Sequence, residues 1–146
     1  MSLINDIQSV ELFVKSVHPT AIIEKQTAPL KPTANTFVIR FLSDSTESET
    51  RFHTRTDREY QFLCYGQSAQ EVLAKMDMLR KALYQTLLIP IKDSLRYIRV
   101  ESFSLSQPLK TDNELFAMVG VLSTQIREAR TQEQYDKMTQ IHLRIL

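Results

Sequence analysis

"REYQFLCYGQSAQEVLAKMDMLRKAL", residues 58–83, holds the step from strand to helix that decides the fold. In the first part Tyr60, Phe62 and Cys64 fall on one face of an extended chain, and Leu63 and Tyr65 on the other. Gly66 reads as the residue that permits a tight exit. Ser68 precedes Glu71 by three positions, the spacing of a capping box, in which the hydroxyl accepts a helical amide and the carboxylate reaches back. Val72, Met76, Leu79 and Leu83 then recur every three or four residues, with Leu73 and Leu87 widening the stripe. Such a helix lies across a sheet, and Pro90 marks where it cannot continue.

A glycine turn between strand and helix is also where many α/β proteins hold a phosphate or a nucleophile. A dinucleotide loop needs three glycines, and a phosphate loop needs Gly-Lys-Ser/Thr. This turn has one glycine and no lysine, and the whole chain has only 2 glycines. A nucleophile elbow needs small neighbours, whereas Cys64 stands between Leu63 and Tyr65 and reads as a buried core thiol. Ser68 reads as a cap. The turn is therefore a joint, not a reaction site.

Outward from it, "SLINDIQSVELFVKSV" places Leu3, Ile4, Ile7, Val10, Phe13 or Val14, and Val17 at helical spacing. His18-Pro19 ends that helix. "AIIEKQ" reads as a short strand, "TAPLKPTAN" as an extended link carrying Pro29 and Pro32, and "TFVIRFL" as a strand able to bury both faces. "SDSTESETRFHTRTD" is polar, with Asp44, Glu47 and Glu49 before Arg51, Arg55 and Arg58. It reads as a hairpin tip with mobile flanks. Further on, "RYIRVESFSL" and "ELFAMVGVLSTQIREAR" read as the strands of a long hairpin, turning around residues 107–113 with Pro108. The second run, residues 115–129, is far longer than the usual strand of about five to six residues. Its outer part needs a pairing partner, for which another copy of the chain is one source. "TQEQYDKM" reads as a turn or short helical piece. "QIHLRIL" alternates Ile141, Leu143 and Ile145 against His142 and Arg144, a final strand, with a helix through Tyr135, Met138 and Ile141 as the competing reading.

The 146 residues fit one domain able to bury a core, residues 1–146 as one unit. Apolar content of 42% and charged content of 24% suit a soluble globular protein, and a net charge of +1 does not suit a general nucleic-acid binder. One cysteine excludes an internal disulfide framework and fits a reducing compartment. No secretory signal is visible, and no apolar run approaches the roughly 18 residues of a membrane span. His18, His53 and His142 are too scattered for a zinc site. The carboxylate pairs Glu47/Glu49 and Asp112/Glu114 read as solvated surface. Arg51, Arg55 and Arg58 could touch phosphates, but their acidic neighbours favour an exposed charged hairpin.

Taken as an order of segments, the chain resembles the tail or neck terminator proteins of tailed bacteriophages. The resemblance lies in the N-terminal helix, the proline link in "AIIEKQTAPLKPTANTFVIRF", the strand, glycine turn (with Ala69 after it) and helix of residues 58–83, and the final hairpin "RYIRVESFSLSQPLKTDNELFAMVGVLSTQIREAR". It covers nearly the whole chain as a pattern, with no single diagnostic motif. It implies an α+β fold: a mixed, largely antiparallel sheet with an N-terminal helix and one long helix packed on it, and a long C-terminal hairpin. It implies a hexameric ring in the virion that ends the tail tube and meets the head connector. The expected partners are other copies, the tube protein and the connector or neck protein. No membrane and no sequence-specific nucleic acid is expected, DNA at most passing through the ring. No catalytic residue, metal or cofactor is expected. Arg51, His53, Arg55, Arg58, Arg127 and Arg130 are the candidate interface residues. Reversing Arg51, Arg55 and Arg58 together is expected to leave the subunit folded and hinder assembly. The alternatives are a related head-closure or tail-tube protein and, from another class, a small-molecule-binding or enzymatic α/β domain.

Overall fold

A computed structural model describes residues 3–129 of the chain. Arg130, the stretch 131–138 and the strand-or-helix reading of residues 140–146, with His142, lie outside the described residues. The elements run in the order α1 (Leu3–Val17), β1 (Ile22–Lys25), β2 (Thr36–Ser48), β3 (His53–Gly66), α2 (Ala69–Thr86), β4 (Leu88–Pro90), β5 (Tyr97–Leu105), β6 (Leu109–Lys110) and β7 (Phe116–Ala129). The sheet has the order β1-β2-β3-β7-β5-β4, with β6 paired to β7. β1 runs parallel to β2 and every other pairing is antiparallel. This is the α+β fold with a mixed sheet that the sequence leads one to expect.

The core forms on one face of the sheet. Ile7, Val10 and Val14 of α1 and Val72, Met76, Leu79 and Leu83 of α2 meet Phe37, Ile39, Tyr60, Phe62, Cys64, Met118, Leu122 and Ile126. The period-two alternation of β3 and the helical spacing of α2 thus bury the residues the sequence marks. Leu73 and Leu87 do not widen the stripe; both are exposed. Leu87 instead ends α2, with φ 59° and its N–H bonded to Leu83 O at 2.9 Å, well before Pro90. At the other end Ser68 Oγ accepts from Glu71 N–H at 3.1 Å, while the Glu71 carboxylate accepts from Gln67 N–H at 2.7 Å, one residue before the cap.

Gly66 has no positive φ. The expected need for a special backbone angle is replaced by a need for space: a Cβ there would lie 2.9 Å from Val72 Cγ1. Gly120 is tighter still, with a Cβ 2.8 Å from Phe103 Cζ and 3.0 Å from Met76 Cε. The strand there has to be bare for the Phe103 ring and the end of Met76 to lie against it.

Two further expectations change. The flanks of the polar hairpin are not loose: β2 extends to Ser48 and β3 starts at His53, leaving only a short tip. Asp44 faces Arg58, Thr46 faces Thr56 and Glu47 faces Arg55, so the acidic and basic blocks pair across the strands. Likewise the outer end of β7 needs no second copy, because it is paired by β3 out to His53↔Ala129.

Two core variants test this packing. Leu79→Ala should lower stability by about 2–5 kcal/mol through the cavity it leaves. Gly120→Ala should lower it by about 1–3 kcal/mol through overpacking against an aromatic ring. Urea denaturation of each against the parent provides the check.

Candidate oligomer interface

The outer halves of β2, β3 and β7 form a three-stranded arm. Beyond Ile39 on β2 and before Tyr60 on β3 no residue joins the hydrophobic cluster, and Ile126 is the outermost member from β7. The arm is held by charge and hydroxyl pairs instead. Arg55 Nη2 donates to Glu47 Oε2 at 3.0 Å, and its Nε lies 3.4 Å from Asp57 Oδ2. Arg127 Nε donates to Glu49 Oε2 at 2.9 Å, and the Thr46 and Thr56 hydroxyls meet at 2.9 Å. At the tip the Thr50 hydroxyl accepts from His53 N–H at 3.0 Å and from Phe52 N–H at 3.2 Å, fixing the turn.

The expected interface residues therefore separate. Arg55 and Arg127 are brought side by side, paired in register, each with a carboxylate partner on β2 or just after it. His53 stands exposed at the tip, within 3.4 Å of the Thr50 hydroxyl. Arg51 is exposed and has no hydrogen bond or ion pair among the described residues. Arg130 lies outside them.

Arg58 is of a different kind. It is only 9% exposed. Its Nη1 donates to Asp6 Oδ2 of α1 at 2.6 Å and lies 3.5 Å from the Tyr60 hydroxyl, and its Nη2 reaches Asp44 Oδ2 at 3.3 Å. Asp6 itself is 2% exposed, and its other oxygen lies 3.9 Å from Arg96 Nη2, an electrostatic contact beyond hydrogen-bond length. Arg96 also pairs with Glu128. Burial pulls the Arg58 pKa down, but Tyr60 and Asp6 outweigh it and the net direction is up. Burial raises Tyr60, with Arg58 opposing. The expectation that Arg58 can be reversed along with Arg51 and Arg55 is thus corrected: a carboxylate at that position would face Asp6 and Asp44 inside the fold.

Asp6, Ser9 and Arg96 escaped the sequence reading. Ser9 Oγ donates to Asn5 O at 2.8 Å and accepts from Lys92 N–H at 2.9 Å, tying α1 to the chain after β4. The signal was present. Asp6 and Ser9 occur on the same helical face as Ile7, Val10 and Val14, and a polar residue on a buried stripe requires a partner.

Among the other expected groups, Cys64 is fully buried and burial pushes its thiol up to about 12. His18 does more than end a helix: it stacks on Phe37 at 5.1 Å and bonds Lys75 O through Nε2 at 3.0 Å. Burial is the main cause of its lowered pKa. Among the described residues no three His, Cys, Asp or Glu side chains are grouped for a metal.

Two outcomes follow from these geometries. Asp6→Ala and Arg58→Ala should each cost about 3–5 kcal/mol, because each strands a buried charge; the double variant should cost less than the sum, measurable as a double-mutant cycle in urea. The Cys64 thiol should label slowly in the native protein at pH 8 and rapidly in denaturant. Between about pH 9 and 12 the unfolded chain releases a thiol proton that the folded chain keeps, so stability must fall as pH rises. That fall should be shallower in Cys64→Ala, which melting curves across this range would reveal.

No protein-family model matches the chain. No curated protein matches it. Among solved structures it is similar to a chain from the virion of a native gene transfer agent particle, at 10% sequence identity and a TM-score of 0.43, over 84% of this chain and 91% of that one. It is also similar to a second solved chain at 15% identity and a TM-score of 0.45, over 90% of this chain and 97% of that one. At these values neither likeness bears on what the chain does.

Proposed function

We propose that this chain is a structural subunit of a phage-type virion and acts there as a tail terminator. Copies join in a ring on the head-proximal end of the tail tube, stop its growth and offer a joint to the head connector. The observation that supports this most is the arm of β2, β3 and β7. It runs beyond the hydrophobic cluster, is laddered on both sides of β3, and is braced by paired charges. Exposed ion pairs of this kind stabilise an isolated subunit by only about 0–1 kcal/mol each. A stiff polar arm makes sense as a contact element between subunits, where one edge of a copy meets a different edge of the next. The order of elements, from N-terminal helix through proline link and strand–helix joint to long final hairpin, is the one the terminator resemblance calls for. On this reading the chain performs no catalysis and takes no cofactor. Its partners are its own copies, the tube protein and the connector.

The test is Arg51→Glu combined with Arg127→Glu. Both positions are exposed and Arg51 has no ion pair among the described residues, so the only folding cost is the exposed Arg127–Glu49 pair, about 0–1 kcal/mol, and the melting curve should stay close to the parent's. Sedimentation and negative-stain microscopy with tail tube protein present should show rings on the tube for the parent and fewer for the variant, the difference shrinking as salt rises. Rings that persist in the variant would remove the arm from the contact. A parent that forms no ring even on the tube would sink the terminator reading.

A further inference from the structure

At the sheet edge where β4 ends the order, an apolar groove of about 360 Å³ opens between α1 and β4, lined by Leu12, Phe13, Ile89, Pro90, Ile91 and Lys92 among others. Directly after it the chain makes a tight turn. Ile91 N–H bonds Arg96 O at 3.1 Å, Ser94 N–H bonds Ile91 O at 3.2 Å, and Asp93 takes the left-handed conformation with φ 59°. Ser94 Oγ accepts from Arg96 N–H at 3.1 Å and closes the turn further. This hydrogen-bonded turn holds Leu95 98% exposed. Leu12, which lines the groove, is exposed as well, and so are Leu87 and Leu88 where the edge strand begins.

A fixed knob beside an open groove makes the patch self-complementary. A two-fold rotation sets each copy's knob against the other's groove, the reciprocal pattern of an isologous contact. The charges agree with it. Lys92 lines the groove and Asp93 stands in the knob turn, and neither side chain has an ion-pair partner among the described residues. Lys92 and Asp93 stand at successive positions of one patch and carry opposite charges, so a two-fold contact across that patch can set unlike charges against each other. Extension of the sheet across the same edge is disfavoured, since β4 has only 3 residues and Pro90 offers no N–H.

We propose that a second copy of this chain docks on the α1–β4 edge by a two-fold contact, with Leu95 of each copy seated in the groove of the other. The contact stands apart from the terminator reading, because a two-fold pairing closes on itself and builds no ring.

Sedimentation equilibrium of the full chain across the micromolar range tests it. The parent should show a reversible monomer–dimer equilibrium. Leu95→Asp and Leu12→Asp should each weaken it by about tenfold or more with melting curves unchanged, since both side chains are exposed in the single chain. Lys92→Glu should weaken it less. The Arg51→Glu, Arg127→Glu variant should dimerise like the parent, which separates this contact from the arm. A parent that stays monomeric throughout, a Leu95→Asp variant that dimerises normally, or dimers lost only in the arm variant would each overturn the proposal.

Discussion

β3 is paired along nearly its whole length on both edges, with β2 from Thr54 to Tyr65 and with β7 from His53 to Gly66. A strand held on both sides has no freedom of register, and a slip of one residue would turn every side chain to the wrong face. Its alternation therefore dictates what lies above and below the sheet. At one end Tyr60, Phe62 and Cys64 point into the cover formed by the helices. At the other, the same ladder continues past the main core, with Ile126 of β7 as the last cluster member, opposite Thr56, and β3 carries Thr, Arg and Asp there.

Arg58 and Asp6 mark the border between these two regions. Arg58 occupies the first core-facing position of β3 outside the apolar cluster, and α1 supplies the only buried carboxylate among the described residues to meet it. A buried pair of this kind adds little net stability over an apolar pair of similar size, but losing either partner is expensive. Its effect is positional. It fixes the first turn of α1 over the sheet where packing alone gives way, and Ser9 and Arg96 extend the same tie to the chain around β4 and to Glu128 of β7.

The seat of α2 is set by absence of side chains as much as by their presence. Gly66 leaves room for Val72, and Gly120 leaves room for Met76 and the ring of Phe103. Irregularities break the ladder between Phe41 and Ser43 on β2, just past the last core residue of that strand, and between Val100 and Ser102 on β5, within its buried stretch. Bulges bend and twist a strand at such points. Helices, bare strand positions and bulges together separate a packed body from a polar arm within one continuous sheet.

The sequence by itself determined what depends on local period and local chemistry. Helix α1, the cap and buried stripe of α2, the inward face of β3 and the final hairpin were all legible, because spacing of apolar residues records which face is buried. The charged hairpin was legible only as polar. Residues 43–57 look like a loop when read alone, since nothing in a run of Ser, Thr, Asp, Glu and Arg reports a neighbour. Residues 43–48 and 53–57 are strand because they pair with one another and β7, more than fifty positions away in the chain, lies against 53–57 and completes the ladder. Arg58 looked like its neighbours Arg51 and Arg55 for the same reason: all three are arginines in a polar run, and only the placement of Asp6 distinguishes the one that is buried. Gly66 was marked by sequence as special, but whether for angle or for space depended on which side chains the fold brings against it, and Gly120 stood out only once Phe103 and Met76 were seen to lie against it. Local pattern fixes the faces of the elements; which faces meet, and so which charges are partners and which remain on the surface, is decided by contacts between residues far apart in the chain.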